Sequence, residues 1–207
     1  MSILVSEQLR PKTFDDLVLS NKLRDRLKRM YETRNVMNML FYGKPGSGKT
    51  TAAKIFTDSD EFTAITINGS LQTSVEEVRN LIQGYATSCS LFNTPKICFI
   101  DEADYLSKNA QAALRGLIEQ TSSNCRYIFT ANALDKIHPA LCSRLLPISF
   151  DLTASQIDEA LESYTARVIA KMRENVPDAD AARVRQIISL NYPDYRTIAN
   201  SLEFEFM

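Results

Sequence analysis

The sequence predicts an α/β fold in which a mostly parallel sheet is flanked by helices and followed by a smaller group of three helices. Short apolar runs alternate with helical stretches between residues 37 and 150, which is the pattern of parallel strands joined by crossover helices. A glycine-rich loop follows the first apolar run, and from residue 152 onward only helical periodicity remains. We therefore expect an α/β domain over residues 1–151 and a helical domain over residues 152–207.

The elements follow from the period of the apolar residues. Strands are predicted at 37–42, 62–67, 96–100, 126–130 and 146–150, and helices at 21–34, 49–57, 75–86 and 109–120. The run at 96–100 is continuously apolar, so we expect it to be buried on both faces. Thr153 and Gln156 have the spacing of a capping box, which starts a helix that runs to residue 172. Two further helices are predicted at 179–190 and 195–204.

Length and composition exclude several classes of protein. The 207 residues are 44% hydrophobic and 24% charged, which is close to the average of globular chains and far from that of disordered ones. No apolar run approaches the roughly 20 residues that span a bilayer. The first ten residues also lack the pattern of a signal peptide. We therefore expect a soluble cytoplasmic protein.

The charge is balanced overall but uneven along the chain. A net charge of −1 excludes a uniformly basic nucleic-acid-binding protein. Residues 1–58, however, carry 11 basic and 6 acidic side chains. Six of the basic residues lie in the predicted helix at 21–34, and the five besides Arg34 form either a solvated face or a face that contacts phosphates: Lys22, Arg24, Arg26, Lys28 and Arg29.

The cysteines and the histidine argue against a bound transition metal. No two of the four cysteines lie within four residues of each other, whereas zinc knuckles need closely spaced pairs. Without a signal peptide, reduced thiols in or near the core are expected. His138 is the only histidine, which excludes a multi-histidine site. The cysteines are Cys89, Cys98, Cys125 and Cys142.

The glycine-rich loop has the pattern of a phosphate-binding site. Residues 43–50 read GKPGSGKT, which fits G-x-x-x-x-G-K-[ST] between a predicted strand and a predicted helix. Glycines let successive N–H groups point at a phosphate, and the helix N-terminus adds its dipole. Lys49 supplies a cation for the phosphates, and the Thr50 hydroxyl can bind Mg²⁺. The residues expected to hold the nucleotide here are Gly43, Pro45, Gly46, Ser47, Gly48, Lys49, Thr50 and Thr51.

An acidic strand end supplies the second half of this site. Residues 97–104 read ICFIDEAD, so an apolar strand delivers carboxylates to the carboxyl edge of the sheet, where the phosphates are expected. Asp101 would hold Mg²⁺ together with Thr50, and Glu102 would polarise the attacking water. The pair is a weak signal alone and a strong one beside the glycine loop.

Together with several further motifs, these residues resemble the clamp-loader branch of the AAA+ ATPases, of the replication factor C and tailed-phage type. Residues 9–18 (LRPKTFDDLV) resemble the family's N-terminal segment, which implies that Leu9 and Val18 lie beside the adenine. Residues 109–115 (NAQAALR) resemble the helix after the acidic box. Residues 129–132 (FTAN) resemble the sensor-1 strand, which implies that Asn132 reads the γ-phosphate.

Two more motifs imply arginines that act on ATP. Residues 141–144 (LCSR) resemble the Ser-Arg-Cys motif, which implies that Arg144 reaches the ATP of a neighbouring subunit. Residues 193–196 (PDYR) resemble the start of the sensor-2 helix, which implies that Arg196 contacts the bound nucleotide. By the same resemblance, Arg79 and Arg115 are candidates for contacts to DNA phosphates.

The chain departs from the family pattern in three places. Leu145 stands where the family has a cysteine after the Ser-Arg pair, and the zinc-binding cysteines of bacterial relatives are missing. Family subunits also continue into a helical collar domain, whereas this sequence stops at Met207. We expect no collar domain here; either the subunit is naturally short, or another chain supplies the collar, or the sequence is part of a longer protein.

The resemblance implies an ATPase subunit of a DNA polymerase sliding-clamp loader. It would use ATP and Mg²⁺ to open the clamp and load it at primer–template DNA, contacting DNA through phosphates without reading sequence. The implied partners are the sliding clamp, primer–template DNA and other subunits in a homo- or hetero-oligomer. Three alternatives stay open: another AAA+ ATPase of DNA replication or recombination, a non-catalytic AAA+ adaptor, and a monomer with little activity alone.

Overall fold

Five parallel strands form one sheet in the order β2-β3-β4-β1-β5 in the computed structural model of the chain, which describes residues 9–71, 75–88, 94–174 and 176–206. The predicted thiol at Cys89 lies outside these residues. Because every pairing is parallel, all strands end at the same edge. The strands are β1 (Met39–Tyr42), β2 (Thr63–Asn68), β3 (Lys96–Asp101), β4 (Cys125–Ala131) and β5 (Leu146–Ser149).

Helices cover both faces of this sheet, and three more follow it, as the sequence predicted. Those around the sheet are α1 (Asn21–Glu32), α2 (Lys49–Thr57), α3 (Val75–Thr87), α4 (Lys108–Thr121) and α5 (Pro139–Cys142). Those after it are α6 (Ala154–Arg173), α7 (Ala181–Asn191) and α8 (Tyr195–Phe206). The predicted fold class is therefore confirmed.

Each face of the sheet carries its own apolar cluster. Along β3, Cys98 and Ile100 belong to the cluster beneath α3 and α4, whereas Ile97 and Phe99 belong to the cluster beneath α1 and α2. All four side chains are fully buried. The continuous apolar run at 96–100 therefore reflects a strand that packs on both sides, as expected for a parallel sheet between two helical layers.

The helices after the sheet have a third apolar cluster of their own, which includes Val168, Val184 and Leu202. Leu9 and Val18 of the N-terminal segment pack against this cluster. Between them, Phe14 and Leu17 are buried in the cluster beneath α1 and α2. This N-terminal segment, residues 9–18, therefore bridges the sheet and the C-terminal helices.

The predicted elements lie within two residues of their expected bounds, and two differences from the expected elements have a local cause. β1 begins at Met39 rather than at residue 37, because the Asn38 side chain accepts a hydrogen bond from the Tyr127 N–H (3.0 Å) and Met37 is half exposed. The short helix α5 was not predicted. Pro139 occupies its first turn, and His138 Nδ1 accepts a hydrogen bond from the Ala140 N–H (3.2 Å). Four residues are too few to show a helical period.

The thiols that the structure describes fit the expectation of core residues. Cys98 and Cys125 are buried and Cys142 is partly buried, all of them free. Burial raises the pKa of the Cys125 thiol to about 11, so this thiol is protonated at neutral pH. In the described ranges, no helix combines the length and the apolar character needed to cross a membrane.

Phe56, fully buried under the sheet, tests the packing of the core. Phe56→Ala should lower the free energy of unfolding by about 3–5 kcal/mol, because it removes buried apolar surface and leaves a cavity. Phe204 in α8 is 89% exposed, so Phe204→Ala should change stability by less than about 0.5 kcal/mol. Urea denaturation of both variants measures this difference, and equal losses would contradict the described core.

Candidate nucleotide-binding site

A cavity of about 550 Å³ opens at the carboxyl edge of the sheet, between the glycine loop, the ends of β3 and β4, the N-terminal segment and α8. The structure therefore brings together residues that are far apart in sequence. Thirteen of the predicted site residues line it: Leu9, Val18, Pro45, Gly46, Ser47, Gly48, Lys49, Thr50, Thr51, Asp101, Glu102, Asn132 and Arg196.

The loop at the centre of this cavity needs glycine at two positions. Gly46 and Gly48 have φ of 76° and 92°, which residues with a side chain rarely adopt. Gly48 is the N-cap of α2, so its conformation turns the chain from the loop into the helix. At Gly46 space is also limited, because an added Cβ would lie 2.1 Å from Asp194 Oδ1.

Lys49 is almost completely buried, with 7% of its surface exposed. Its Nζ donates hydrogen bonds to the carbonyl oxygens of Gly43 (2.9 Å) and Lys44 (2.8 Å). Burial lowers the pKa of the ammonium, while the carboxylates of Asp151, Asp104 and Asp101 act in the opposite direction. None of the described carboxylates forms an ion pair with it, so its charge is available to a phosphate.

Asp101 joins three elements at this edge. Its Oδ1 accepts hydrogen bonds from the hydroxyls of Thr50 at the start of α2 (2.9 Å) and Thr130 in β4 (2.5 Å). The carboxylate and the Thr50 hydroxyl both line the cavity. Oxygen atoms of this kind are the ligands that Mg²⁺ takes beside phosphates, so this pair fits a magnesium ion.

Glu102 has an unusual backbone for a residue with a side chain. Its φ and ψ of 54° and 45° lie in the left-handed region, where strain of about 1–3 kcal/mol is tolerated mainly at functional sites. The Glu102 N–H donates to Thr130 Oγ1 (2.9 Å). Gly69 approaches from β2, where an added Cβ would lie 2.6 Å from the Glu102 carbonyl oxygen. These contacts hold the Glu102 backbone where its side chain lines the cavity.

Asn132 follows β4, the strand next to β3. Its N–H donates to Asp104 Oδ2 (3.3 Å), and the other oxygen of Asp104 is buried without a hydrogen-bond partner among the described residues. Asn132 is thus tied to the acidic run that begins at Asp101.

The start of α8 rests directly on the glycine loop. The Tyr195 N–H donates to the Gly46 carbonyl oxygen (3.3 Å). Asp194 Oδ1 accepts from the N–H groups of Arg196 (3.0 Å) and Thr197 (3.1 Å). Burial alone would raise the pKa of Asp194, but these hydrogen bonds and the Arg196 charge hold the pKa below its ordinary value. The guanidinium of Arg196 is exposed, and it forms no ion pair within the described part of the chain.

A family model described as "ATPase family associated with various cellular activities (AAA)" matches residues 39–151. The match covers more than half of the chain and contains the glycine loop, the acidic strand end, Asn132 and Arg144. The chain belongs to the AAA family. Sequence, structure and family membership therefore all support the assignment of the α/β fold and the phosphate-binding loop to this AAA chain.

Curated relatives support the resemblance to the clamp-loader branch. The replication factor C small subunit of Saccharolobus solfataricus is 31% identical over 199 residues, which cover 91% of this chain and 60% of the relative. Replication factor C subunit 3 of Saccharomyces cerevisiae is 30% identical over 204 residues, which cover 95% and 58%. This AAA chain thus spans about three fifths of the length of these relatives. The tailed-phage part of the resemblance stays a prediction.

Two solved structures show the same AAA fold. The Holliday junction branch migration motor RuvB of Thermotoga maritima has a TM-score of 0.61 and 19% identity, with 96% of this chain and 72% of that chain covered. The ORC1 protein of Aeropyrum pernix, solved in complex with DNA, has a TM-score of 0.63 and 19% identity, with 96% and 62% covered. At identities this low, the similarity supports the fold and nothing about function.

Four predicted site residues of the AAA chain do not line the cavity. Gly43 contributes its carbonyl oxygen to Lys49 instead. Arg144 lies apart from the cavity and is bonded to Glu119. Arg79 in α3 and Arg115 in α4 are exposed on the helices beside the sheet. Because these three arginines do not face the cavity of their own chain, any part they take in binding would involve a second molecule, such as a neighbouring chain or DNA.

Other residues of the site were not predicted. Thr130 bonds both Asp101 and Glu102, and its position two residues before Asn132 in the FTAN motif was the available signal. Arg10 adds a cation to the cavity lining. Tyr164 and Tyr195 line it from α6 and α8 with their rings 5.1 Å apart. No local pattern marks Tyr164, whereas Tyr195 lies in the PDYR motif directly before Arg196. The packing of the C-terminal helices brings both rings to the loop.

Gly46→Ala tests the construction of the loop. The positive φ and the contact with Asp194 should make alanine destabilising by more than about 1 kcal/mol, with a loss of nucleotide affinity as the loop shifts. Gly84, exposed in α3 with open space around it, is the matched control. Gly84→Ala should stabilise by up to about 1 kcal/mol, because alanine favours helix.

Urea denaturation and titration with a fluorescent ATP analogue measure both effects. Unchanged stability and affinity in Gly46→Ala would contradict the described loop geometry.

Proposed function

We propose that this AAA chain is an ATPase subunit of a DNA sliding-clamp loader. The observation that carries the ATPase part is the single cavity lined by Lys49, Thr50, Asp101 and Glu102. The clamp-loader part is supported by the relatives named replication factor C subunits, which match more than nine tenths of this chain.

Each residue would act on ATP according to its chemistry. The loop N–H groups and Lys49 would hold the phosphates, with Leu9 and Val18 beside the adenine. Mg²⁺, held by the Thr50 hydroxyl and Asp101, would neutralise charge on the phosphates. The Glu102 carboxylate would orient and polarise the attacking water, and Asn132 would sense the γ-phosphate.

The arrangement also suggests how ATP would act on the shape of the subunit. The glycine loop follows β1 of the sheet, whereas Arg196 lies in the C-terminal helices, and both line the same cavity. A triphosphate that contacts both would favour one arrangement of these parts, because a ligand shifts an equilibrium toward the state it binds better. Subunits fixed in this way would assemble around DNA, and Arg144 of one subunit would reach the ATP of the next.

A non-catalytic adaptor is the weaker candidate. A scaffold has no chemical need for the lysine, the threonine, the aspartate and the glutamate to meet at one cavity. An adaptor would also gain nothing from the left-handed backbone at Glu102, which costs free energy.

Steady-state ATP hydrolysis of the purified chain, with and without primer–template DNA and a sliding clamp, tests the proposal. A DNA-dependent rise in turnover is expected for a clamp-loader subunit. ATP hydrolysis without any response to DNA or clamp would leave an ATPase but contradict the clamp-loader part. Absence of ATP binding would contradict both.

Glu102→Gln should keep ATP binding and abolish turnover, because the amide retains the shape but cannot act as a base. Binding is measured with a fluorescent ATP analogue and turnover by phosphate release. Glu76→Gln, at an exposed carboxylate in the first turn of α3, is the control and should change neither. Ordinary turnover in Glu102→Gln would remove Glu102 from the proposed chemistry.

Arg79→Gln should weaken DNA binding about equally for all sequences and reduce the slope of log K against log salt by about 1, because one fewer phosphate is neutralised. Arg115→Gln should behave in the same way. Arg185→Gln, at an exposed arginine in α7, is the control. Fluorescence anisotropy at several salt concentrations measures the slopes, and equal slopes for all variants would exclude the two predicted contacts.

A further inference from the structure

Arg144 is held on its own chain by contacts from two different elements. Its Nη1 donates hydrogen bonds to the Ala140 carbonyl oxygen (2.7 Å) and Ser143 Oγ (2.9 Å), both close in sequence. Its Nε (2.6 Å) and its Nη2 donate to Oε1 of Glu119 in α4. Among the described residues, Glu119 is the one distant in sequence that bonds this guanidinium. It therefore adds a restraint from a second helix to the local contacts of Nη1.

The hydrogen bonds leave part of the guanidinium available. Arginine has five N–H donors, and these contacts use the one on Nε, two on Nη1 and one on Nη2. One N–H of Nη2 remains, and the Arg144 side chain is 29% exposed. The group is thus fixed in position while one donor and its positive charge can still meet a phosphate.

We propose that Glu119 is a positioning residue for Arg144. This inference rests on the proposed function, in which Arg144 acts on the ATP of a neighbouring subunit. A long side chain loses rotamer freedom when it is ordered, and a group that acts on a transition state works best when its orientation is set beforehand. Glu119 orders the Arg144 side chain before the neighbouring subunit arrives. The loss of rotamer freedom therefore does not weaken the contact between Arg144 and the phosphate.

A contribution to stability alone does not account for the pair. Glu119 is 49% exposed, and ion pairs with this exposure add little to the stability of a fold. Glu119 also lies outside the cavity lining, so it does not act on the nucleotide of its own chain. Its contact with Arg144 is the feature that links it to the reaction.

The test compares Glu119→Ala, Arg144→Ala and the double variant in the full chain, by ATP turnover with primer–template DNA. Arg144→Ala should lower kcat strongly, since a trans arginine is worth about 10³-fold or more. Glu119→Ala should lower kcat about tenfold, by analogy with the loss of a partner that orients a metal ligand, with KM for ATP unchanged. Glu119→Ala should cause no further loss in the Arg144→Ala background. Glu119→Gln, which keeps an acceptor oxygen, should recover part of the activity.

Glu61 provides the matched control. It forms an exposed ion pair with Arg34, away from the cavity, so Glu61→Ala breaks the same kind of contact and should leave kcat unchanged. A second measurement needs no turnover. The Arg144 Nε–H resonance, assigned through Arg144→Lys, should exchange slowly with water in the unaltered chain and in Glu61→Ala, and rapidly in Glu119→Ala.

The outcomes separate this inference from the proposed function. If Arg144→Ala leaves turnover unchanged, the trans role of Arg144 is wrong and the role of Glu119 falls with it. If Arg144→Ala lowers turnover while Glu119→Ala does not, only the positioning role is wrong. A rise in turnover for Glu119→Ala would make Glu119 a restraint on Arg144 and would also overturn the positioning role. Rapid exchange of the Arg144 Nε–H with water in the unaltered chain would overturn the positioning role as well.

Discussion

The hydrogen bonds that the Asp101 carboxylate accepts from Thr50 and Thr130 tie together the three parts of the site. Thr50 begins the helix after the glycine loop, Asp101 ends β3 and Thr130 lies in β4. These contacts are possible only because the strands are parallel, so their carboxyl ends meet at one edge of the sheet. The same geometry fixes Glu102, whose N–H donates a hydrogen bond to the Thr130 hydroxyl oxygen. The loop, the acidic pair and β4 therefore form one unit.

The C-terminal helices join this unit through a small number of specific contacts. The guanidinium of Arg167 in α6 donates to the carbonyl oxygens of Asp15 (2.9 Å) and Asp16 (2.5 Å) in the N-terminal segment, and the start of α8 hydrogen bonds the glycine loop. The cavity lies between these attachments. A nucleotide bound there would contact the sheet and the helices at once, so its binding would favour one arrangement of these two parts.

A buried glutamine connects the acidic strand end to the region of Arg144. Gln111 in α4 donates to the carbonyl oxygens of Leu106 (3.1 Å) and Lys136 (3.2 Å), and its Oε1 accepts from the His138 N–H (2.6 Å). His138 is the N-cap of α5, and the Ala140 carbonyl oxygen of α5 accepts a hydrogen bond from Arg144. The positions of Glu119 and Arg144 therefore depend on how α4 and α5 are fixed to each other.

The sequence by itself determined the order of strands and helices, the glycine loop and the acidic strand end. Each depends on residues close together in the chain: the period of apolar side chains, the conformational freedom of Gly46 and Gly48, and a carboxylate directly after a buried strand. The same local information predicted the helices after the sheet. The resemblance to the clamp-loader branch of the AAA+ ATPases added Asn132 and Arg196 as site residues, and both line the cavity.

Only the tertiary structure decided which distant groups meet. The Thr130 hydroxyl bonds Asp101 because β3 and β4 are neighbours, and the contact of Asp194 with Gly46 depends on how α8 docks. Tyr164 and the pairing of Glu119 with Arg144 have no local pattern. Such contacts arise from the packing of whole elements, and their energy depends on distances that no short stretch of sequence encodes.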